Sequence, residues 1–475
     1  MAARIGSAAG EAGESMNGVL GRFSKWRIRS LKACATFFYA LSLLPSAFSA
    51  RPNIVFIMAD DLGYGDLGCY GNERVQTPHI DALAQNGIRF TDFHSSGPMC
   101  TPTRAATLTG CYQQRFGEKF DGAISGVRDY HSGLPHDAVT IAEILKETGY
   151  VTGCFGKWHL GYTPPFFPTT QGFDVFYGLG SGDGDFFSHV DRSGRLDWWR
   201  NEEKVVEEGY TTALLTKRSI EFIEANRDRP FFLYLPHLAI HFPWQGPQDP
   251  PHREVGVSYH DDKWGVIPDR SNVSPHVNAM IEAMDQSVGE IVTALDRHGL
   301  QENTLIAFTS DNGGYLRYYG GFENISSNGP LKGQKGQMYE GGHRVPTIVS
   351  WPNRNQADVT SELAHSTDWF PTFAKLTGVS IDDMSLDGLD LSPLLFRGQA
   401  LPDRDLHWRM RGNYAVRSGP WKLAQQNGIR ELFNLRNDLG ETNDLSDRHP
   451  EKLAALQEAW EKWNAEMNRS AAKYE

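Results

Sequence analysis

Residues 53–61 read Asn53-Ile54-Val55-Phe56-Ile57-Met58-Ala59-Asp60-Asp61, a short apolar run that stops on two adjacent carboxylates. A run of this length without polar alternation is the pattern of a strand buried on both faces, as in the parallel sheets of α/β folds. Three further runs have the same shape. Tyr150-Val151-Thr152-Gly153-Cys154-Phe155 leads into Gly156-Lys157-Trp158-His159, Phe231-Phe232-Leu233-Tyr234-Leu235 precedes His237 and His241, and Thr304-Leu305-Ile306-Ala307-Phe308-Thr309 leads into Ser310-Asp311-Asn312. Helical periodicity lies between them, over His79–Asn86, Val139–Thr148, Thr212–Ala225 and Val277–Arg297. Strands alternating with helices predict an α/β fold with a mostly parallel central sheet flanked by helices on both faces. In such folds ligands bind beyond the carboxyl ends of the strands, which is where all four runs carry their polar residues. One shared site is therefore expected.

From about residue 400 the pattern changes. Tyr414–Arg417, Trp421–Leu423 and Glu431–Leu435 have the look of short antiparallel strands, and a charged amphipathic helix follows over Pro450–Met467. The expected division is a large α/β domain over 51–400 and a small C-terminal α+β subdomain with an antiparallel sheet over 401–475.

Residues 1–50 read as a secretory signal peptide. Arg22, Lys25, Arg27, Arg29 and Lys32 precede an apolar stretch from Ala33 to Phe48 that is too short and too interrupted for a stable membrane span. A secreted, periplasmic or otherwise exported location follows. Of five cysteines, the four beyond residue 50 could make two disulfides, but no dense framework or Cys-x-x-Cys is present, and Cys69, Cys111 and Cys154 better suit buried thiols. The chain carries a net charge of −12, and the basic leader makes the remainder more acidic still. Such a body is unsuited to nucleic acid, whose binding needs a positive field. An anionic substrate would need a local cluster of positive charge.

Two constellations carry chemistry. Asp60, Asp61, Asp311 and Asn312 offer only oxygen donors, which suits Ca2+, or Mg2+, better than zinc. Taken singly, each pair could instead cap the segment that follows it. The second is Cys100-Thr101-Pro102-Thr103-Arg104, running on to Thr109-Gly110. Pro102 fits a first helical turn and Gly110 a helix end, so Cys100 is expected just before a helix N-terminus, where the dipole favours anions. The Cys-x3-Arg spacing does not fit a cysteine phosphatase, which places five residues between the two.

These residues resemble the sulfatases of the alkaline phosphatase superfamily, whose signature is Cys-x-Pro-Ser-Arg followed by a short helix ending in Thr-Gly. Thr103 stands where that family usually has Ser. The likeness extends to Arg51-Pro52-Asn53 with Asp60-Asp61-Leu62-Gly63-Tyr64-Gly65-Asp66, to Gly156-Lys157-Trp158-His159-Leu160-Gly161, to Ile240-His241-Phe242-Pro243, to Ser310-Asp311-Asn312-Gly313, to Leu331–Gly336 with Glu340–Pro346, and to Arg417–Leu423. It implies a sulfuric ester hydrolase with an alkaline phosphatase-like fold. It also implies a formylglycine made from Cys100 by a maturation enzyme. Hydrated, that aldehyde attacks sulfur with one hydroxyl and ejects sulfate with the other. By the same resemblance Asp60, Asp61, Cys100, Asp311 and Asn312 hold the cation, Arg104 steadies the gem-diol and Lys157 binds sulfate oxygens. His159 acts as base for sulfate release, and His241 and Lys335 serve the leaving oxygen.

The expected substrate is a sulfated small molecule or glycan. The alternatives are a phosphate or phosphonate ester hydrolase of the same superfamily, and a sulfated-glycan binder in which Cys100 is not converted. Asp197-Trp198-Trp199-Arg200 offers two rings that either stack on a sugar or pack in the core.

Overall fold

The computed structural model describes residues 51–474, so the signal peptide expected over 1–50 lies outside the described residues. Ten strands form one sheet: β1 (Asn53–Ala59), β2 (Ile88–Phe90), β3 (Val151–Lys157), β4 (Val175–Leu179), β5 (Trp199–Arg200), β6 (Glu203–Lys204), β7 (Phe231–Pro236), β8 (Thr304–Ser310), β9 (Thr347–Ser350) and β10 (Asp358–Thr360). Their spatial order is β10-β2-β9-β8-β1-β7-β3-β4-β5-β6. The centre, β8-β1-β7-β3-β4, is parallel throughout, whereas β9, β5 and β6 pair antiparallel toward the edges.

The period of two in a strand explains why β1 has no polar face. Val55, Ile57 and Ala59 pack on one side, in a core shared with α4 (Thr211–Ala225) and α5 (Ser274–Arg297). Ile54, Phe56 and Met58 pack on the other, with α2 (Cys100–Thr109), α3 (Ile141–Glu147) and α6 (Trp369–Thr377). Each face therefore buries against helices, and every residue of β1 is buried. A further helix, α1 (Pro78–Gln85), precedes β2. Helix α3 starts after Thr140, whose hydroxyl accepts from the Glu143 amide while the Glu143 carboxylate accepts from the Thr140 amide.

The C-terminal sheet has four antiparallel strands, β11 (Asp405–Met410), β12 (Asn413–Ser418), β13 (Trp421–Gln426) and β14 (Ile429–Asn434). One face meets helix α7 (Pro450–Ala471), where Tyr414 stacks on Trp460 at 4.0 Å. The other buries Trp408, Ala424 and Phe433 against Met338. Met338 is three residues from Lys335, so this sheet braces the loop that carries a candidate site residue.

Among the described residues no helix is long and apolar enough to cross a membrane. Cys69, Cys100, Cys111 and Cys154 are all free thiols, Cys100 and Cys154 buried and the other two half-buried. Trp198 and Trp199 are buried core residues. Trp198 stacks on His189 at 4.2 Å and Trp199 meets Phe167 at 4.8 Å, so neither offers a free face to a sugar.

Candidate functional site

The four central strands β8, β1, β7 and β3 are neighbours and parallel, so their carboxyl ends open at one edge of the sheet. Asp60-Asp61 leaves β1, Asp311-Asn312 leaves β8, Lys157 closes β3 with His159 just beyond, and His241 follows β7. The backbone ties these exits together: the Asp60 amide donates to Ala239 O at 2.8 Å and the Asp311 amide to Ala59 O at 3.1 Å. Helix α2 brings in Cys100 as its first residue, so the helix starts one residue earlier than the sequence suggested, because Met99 rather than Cys100 takes the extended N-cap conformation. Thr103 uses its hydroxyl to bond Gly97 O at 3.1 Å, closing the loop before the helix.

All ten predicted site residues are brought to this place, and all are buried. The ligand atoms of Asp60, Asp61, Cys100 and His241 lie within 4.8 Å of one another. Asp311 Oδ1 accepts from the Asp61 amide at 3.2 Å, and Asn312 Nδ2 donates to Asp61 Oδ1 at 2.9 Å. Around these oxygens stand three cations. Lys157 pairs with Asp60 and Lys335 with Asp61. Arg104 grips Asp311 Oδ2 through Nε at 3.0 Å and Nη2 at 2.8 Å, and also donates to Lys157 O at 2.7 Å. Lys335 Nζ is 3.5 Å from Cys100 Sγ. Arg104 thus reaches a carboxylate of the acidic cluster rather than the thiol.

Burial and the like charges of Asp311 and Asp61 push the Asp60 carboxyl well above the usual range. Burial also acts on Asp311, but Arg104 and Lys157 outweigh it and hold that carboxyl low. Burial raises the Cys100 thiol despite Lys157 and Lys335, so an unmodified Cys100 is a poor thiolate nucleophile here. His159 and His241 are both pushed well below the usual histidine range, first by burial and then by the neighbouring lysines. Both are neutral, and their bonds fix the proton. His159 Nε2 faces Ile124 O at 3.1 Å, so it carries the hydrogen and leaves Nδ1 as a bare acceptor; that atom is buried without a partner. His241 Nδ1 faces Phe242 O at 2.7 Å, which leaves Nε2 bare, 3.9 Å from Asp61 Oδ2.

The backbone is held in an uncommon conformation at this place. Asp61 and His159 both occupy the left-handed region, at φ 63° and 56°, a cost of order 1–3 kcal/mol each that surrounding packing must sustain. Gly182 lies so close to His159 that a Cβ there would stand 2.4 Å from the ring.

The site also passes a test as a cation holder. Asp60 Oδ1 and Asn312 Oδ1 are buried with no hydrogen-bond partner. Two orphaned oxygens next to crowded carboxylates fit an oxygen-coordinated divalent ion, which would satisfy the lone pairs and relieve the repulsion.

A cavity of about 540 Å³ opens from Cys100, His159, His241 and Lys335 toward solvent. Its outer wall carries Arg128, Arg192, Lys263 and Arg411 against Asp183 and Asp191. The local positive cluster expected of an acidic chain is present. Arg192 and Lys263 were not legible beforehand, because they arrive on irregular loops without a motif. Thr101 was also missed: its hydroxyl bridges His159 O and the Ile124 amide at 3.2 Å each, joining the loop that orients His159 to helix α2.

Comparison with known proteins agrees. A family model described as Sulfatase matches residues 52–379. Human arylsulfatase A is 37% identical over 410 residues, 79% of this chain and 75% of that protein. Human steryl-sulfatase is 34% identical over 448 residues, covering 78% of this chain and 73% of that one. The crystal structure of Ps i-CgsB in complex with k-i-k-neocarrahexaose superposes with a TM-score of 0.76 at 32% identity, over 87% of this chain and 92% of the other.

Proposed function

Given that the chain belongs to the sulfatase family and is a sulfuric ester hydrolase, we propose that it is an exported enzyme that removes sulfate from a sulfated carbohydrate. The observation that carries this is the convergence of four strand ends and the start of α2 on one buried cluster, at the floor of a cation-walled cavity. The sugar is favoured by similarity to Ps i-CgsB, solved with a neocarrahexaose.

Cys100, converted to formylglycine, would supply a hydrated aldehyde as nucleophile, and a divalent cation, Ca2+ by its all-oxygen donors, would supply charge at the sulfate oxygens. Asp60, Asp61, Asp311 and Asn312 would hold that cation, with position 100 beside them. Arg104 fixes Asp311 so that its carboxylate stays ionised and aimed. Lys157, whose ammonium reaches the same cluster, balances charge at a sulfate oxygen. His159 is a buried neutral base with a free lone pair, the property required of the group that takes a proton during sulfate release. Lys335 stands between Asp61 and Cys100 and is held cationic, chiefly by Asp61, against burial. It can donate to the leaving ester oxygen at once. His241 donates from Nδ1 to Phe242 and can help the leaving oxygen only after gaining a second proton, which the arriving sulfate charge favours.

The test is to co-express the chain with a formylglycine-generating enzyme, weigh the peptide containing position 100, and compare sulfate release from an aryl sulfate with phosphate release from an aryl phosphate. An aldehyde at position 100 with sulfate release faster by on the order of 100-fold is expected. An unconverted cysteine with no turnover would leave a glycan binder, and faster phosphate release would make this a phosphate ester hydrolase.

A further inference from the structure

We infer that the mouth of the cavity holds a second anion: Lys263 and Arg192, both seated on the ring of Phe242, bind an anionic substituent that the substrate carries in addition to the ester being cleaved. This deepens the sulfatase reading and rests on it for the position of the ester.

Lys263 is the more buried of the two cations. It is only 8% exposed, and its Nζ lies 5.2 Å from the ring centroids of Phe242, Tyr318 and Tyr319. Among the described residues no carboxylate pairs with it. Aromatic faces offset only part of the cost of burying an ammonium, and beyond hydrogen bonds to the side chains of Tyr318 and Tyr319 the described residues supply no anion to neutralise it. Arg192 sits 5.4 Å from the same Phe242 ring. Its one carboxylate, Asp183, is shared: Arg192 Nε and Arg253 Nη2 each reach it at 2.9 Å. Two guanidiniums on one carboxylate, with an ammonium on the neighbouring ring, leave an excess of positive charge. Asp191, the other acid on this wall, is occupied by the amides of Ser193 and Arg195. The excess stands out in a chain of net charge −12.

Position decides what the charge is for. The Phe242 ring lies tilted beside that of His241, with centroids 4.1 Å apart, so the ring that carries the cationic pair adjoins the floor of the site. The ester sulfate belongs at Cys100, where Lys335 already stands at 3.5 Å. Among the described residues no hydrogen bond or ion pair joins Lys263 to Cys100, Lys335, Asp60, Asp61, Asp311 or Asn312. Lys263 and Arg192 therefore face the part of the substrate that leaves. The ligand chemistry is an anionic group on the leaving alcohol, a second sulfate or a uronate carboxylate.

The experiment uses the converted enzyme and disaccharides derived from chondroitin, heparan and carrageenan. They are arranged in pairs that differ by one sulfate away from the cleaved ester, or by uronate against neutral hexose. For the best-cleaved pair, kcat/KM should favour the member with the extra anion by about 30-fold or more, and Lys263→Met should reduce that preference to within about 3-fold. Arg192→Gln, at a partly exposed position, should reduce it in the same direction and serves if Lys263→Met fails to fold. The sulfate and carboxylate pairs tell the two sources apart. A second measurement needs no turnover: calorimetric binding of disaccharides that lack the cleaved ester but keep the second anion. Wild type should bind these at least about 10-fold more tightly than their uncharged parents, and the variants should not. Equal binding of charged and uncharged members by wild type, or a preference that survives both substitutions, overturns the subsite. Binding discrimination without any sulfate release would instead overturn the hydrolase reading and leave the subsite standing.

Discussion

Two buried charge clusters lie at the two ends of the segment from Lys335 to Glu340, and they are answered to different degrees. The first leaves Glu441 Oε1, already an ion-pair partner of Lys422, without a hydrogen bond, whereas the second leaves three atoms. In the first, Asp92 takes a bidentate pair of 2.6 Å bonds from Arg417 and a third contact from Arg344 at 3.3 Å. Glu340 meets Lys422 at 2.9 Å and Arg344 at 3.1 Å, and Glu441 meets Lys422 at 2.9 Å. Three carboxylates face three cations, with His94 and His343 bonded Nδ1 to Nδ1 at 3.0 Å between them. This cluster joins β12 and β13 of the C-terminal sheet to the segments that carry Asp92 and Glu340. In the second, around Asp60, Asp61 and Asp311, cations also stand opposite carboxylates, yet Asp60 Oδ1, Asn312 Oδ1 and His159 Nδ1 keep unused lone pairs. Buried polarity that is answered internally holds a fold together; buried polarity left open marks where a ligand belongs.

Substitutions in either cluster test this difference. The largest effect is expected from Asp311→Asn, which keeps shape and removes charge from the open cluster. We expect kcat/KM to fall on the order of 10³-fold, with more added Ca2+ or Mg2+ needed for half-maximal rate in steady-state assays. If instead activity survives and only stability drops, the two clusters are of one kind. Next, Asp92→Asn strips the closed cluster of the carboxylate that neutralises Arg417. Unfolding free energy in denaturant titrations should fall by about 3–5 kcal/mol, while kcat/KM of the folded enzyme stays within about 3-fold. A kinetic loss larger than that would show the closed cluster taking part in the chemistry.

The smallest effect concerns pH. His407 is buried against Trp463, with ring centroids 5.0 Å apart, and burial pushes it down to about 4. The unfolded chain binds its proton near pH 6.5, so the folded state is favoured above that value and loses this contribution as pH falls toward 4. His94 and His343 are shifted the same way by burial. Stability measured across pH 7 to 4 should therefore decline, by up to roughly 2–3 kcal/mol for His407. His407→Gln should flatten part of that decline, and an unchanged slope would refute the assignment.

Much of this architecture was written in the strand ends. The runs at 53–59, 231–235 and 304–309 were legible because strands buried on both faces are apolar throughout and stop where polarity returns. β1 begins and ends where its residues change character. Strands of two to four residues, such as Trp199–Arg200, Ile88–Phe90 and Thr347–Ser350, left no such trace; they are too short for a period and owe their place to neighbours. The floor of the site was legible for the same reason as the central sheet, since Asp60, Lys157, His241 and Asp311 each follow a recognisable strand. Its walls were not. Arg192 and Lys263 reach Phe242 from loops whose course is set by tertiary packing, and nothing in their local sequence announces it.

The open cluster is expected to hold a divalent ion. Anomalous diffraction from crystals grown in Ca2+ tests this most directly. The prediction is one strong peak among the oxygens of Asp60, Asp61, Asp311 and Asn312, and none at His94, Glu340 and His343, which also lie close enough to hold an ion. A peak at the histidine pair with the site of Asp60, Asp61, Asp311 and Asn312 empty would contradict it.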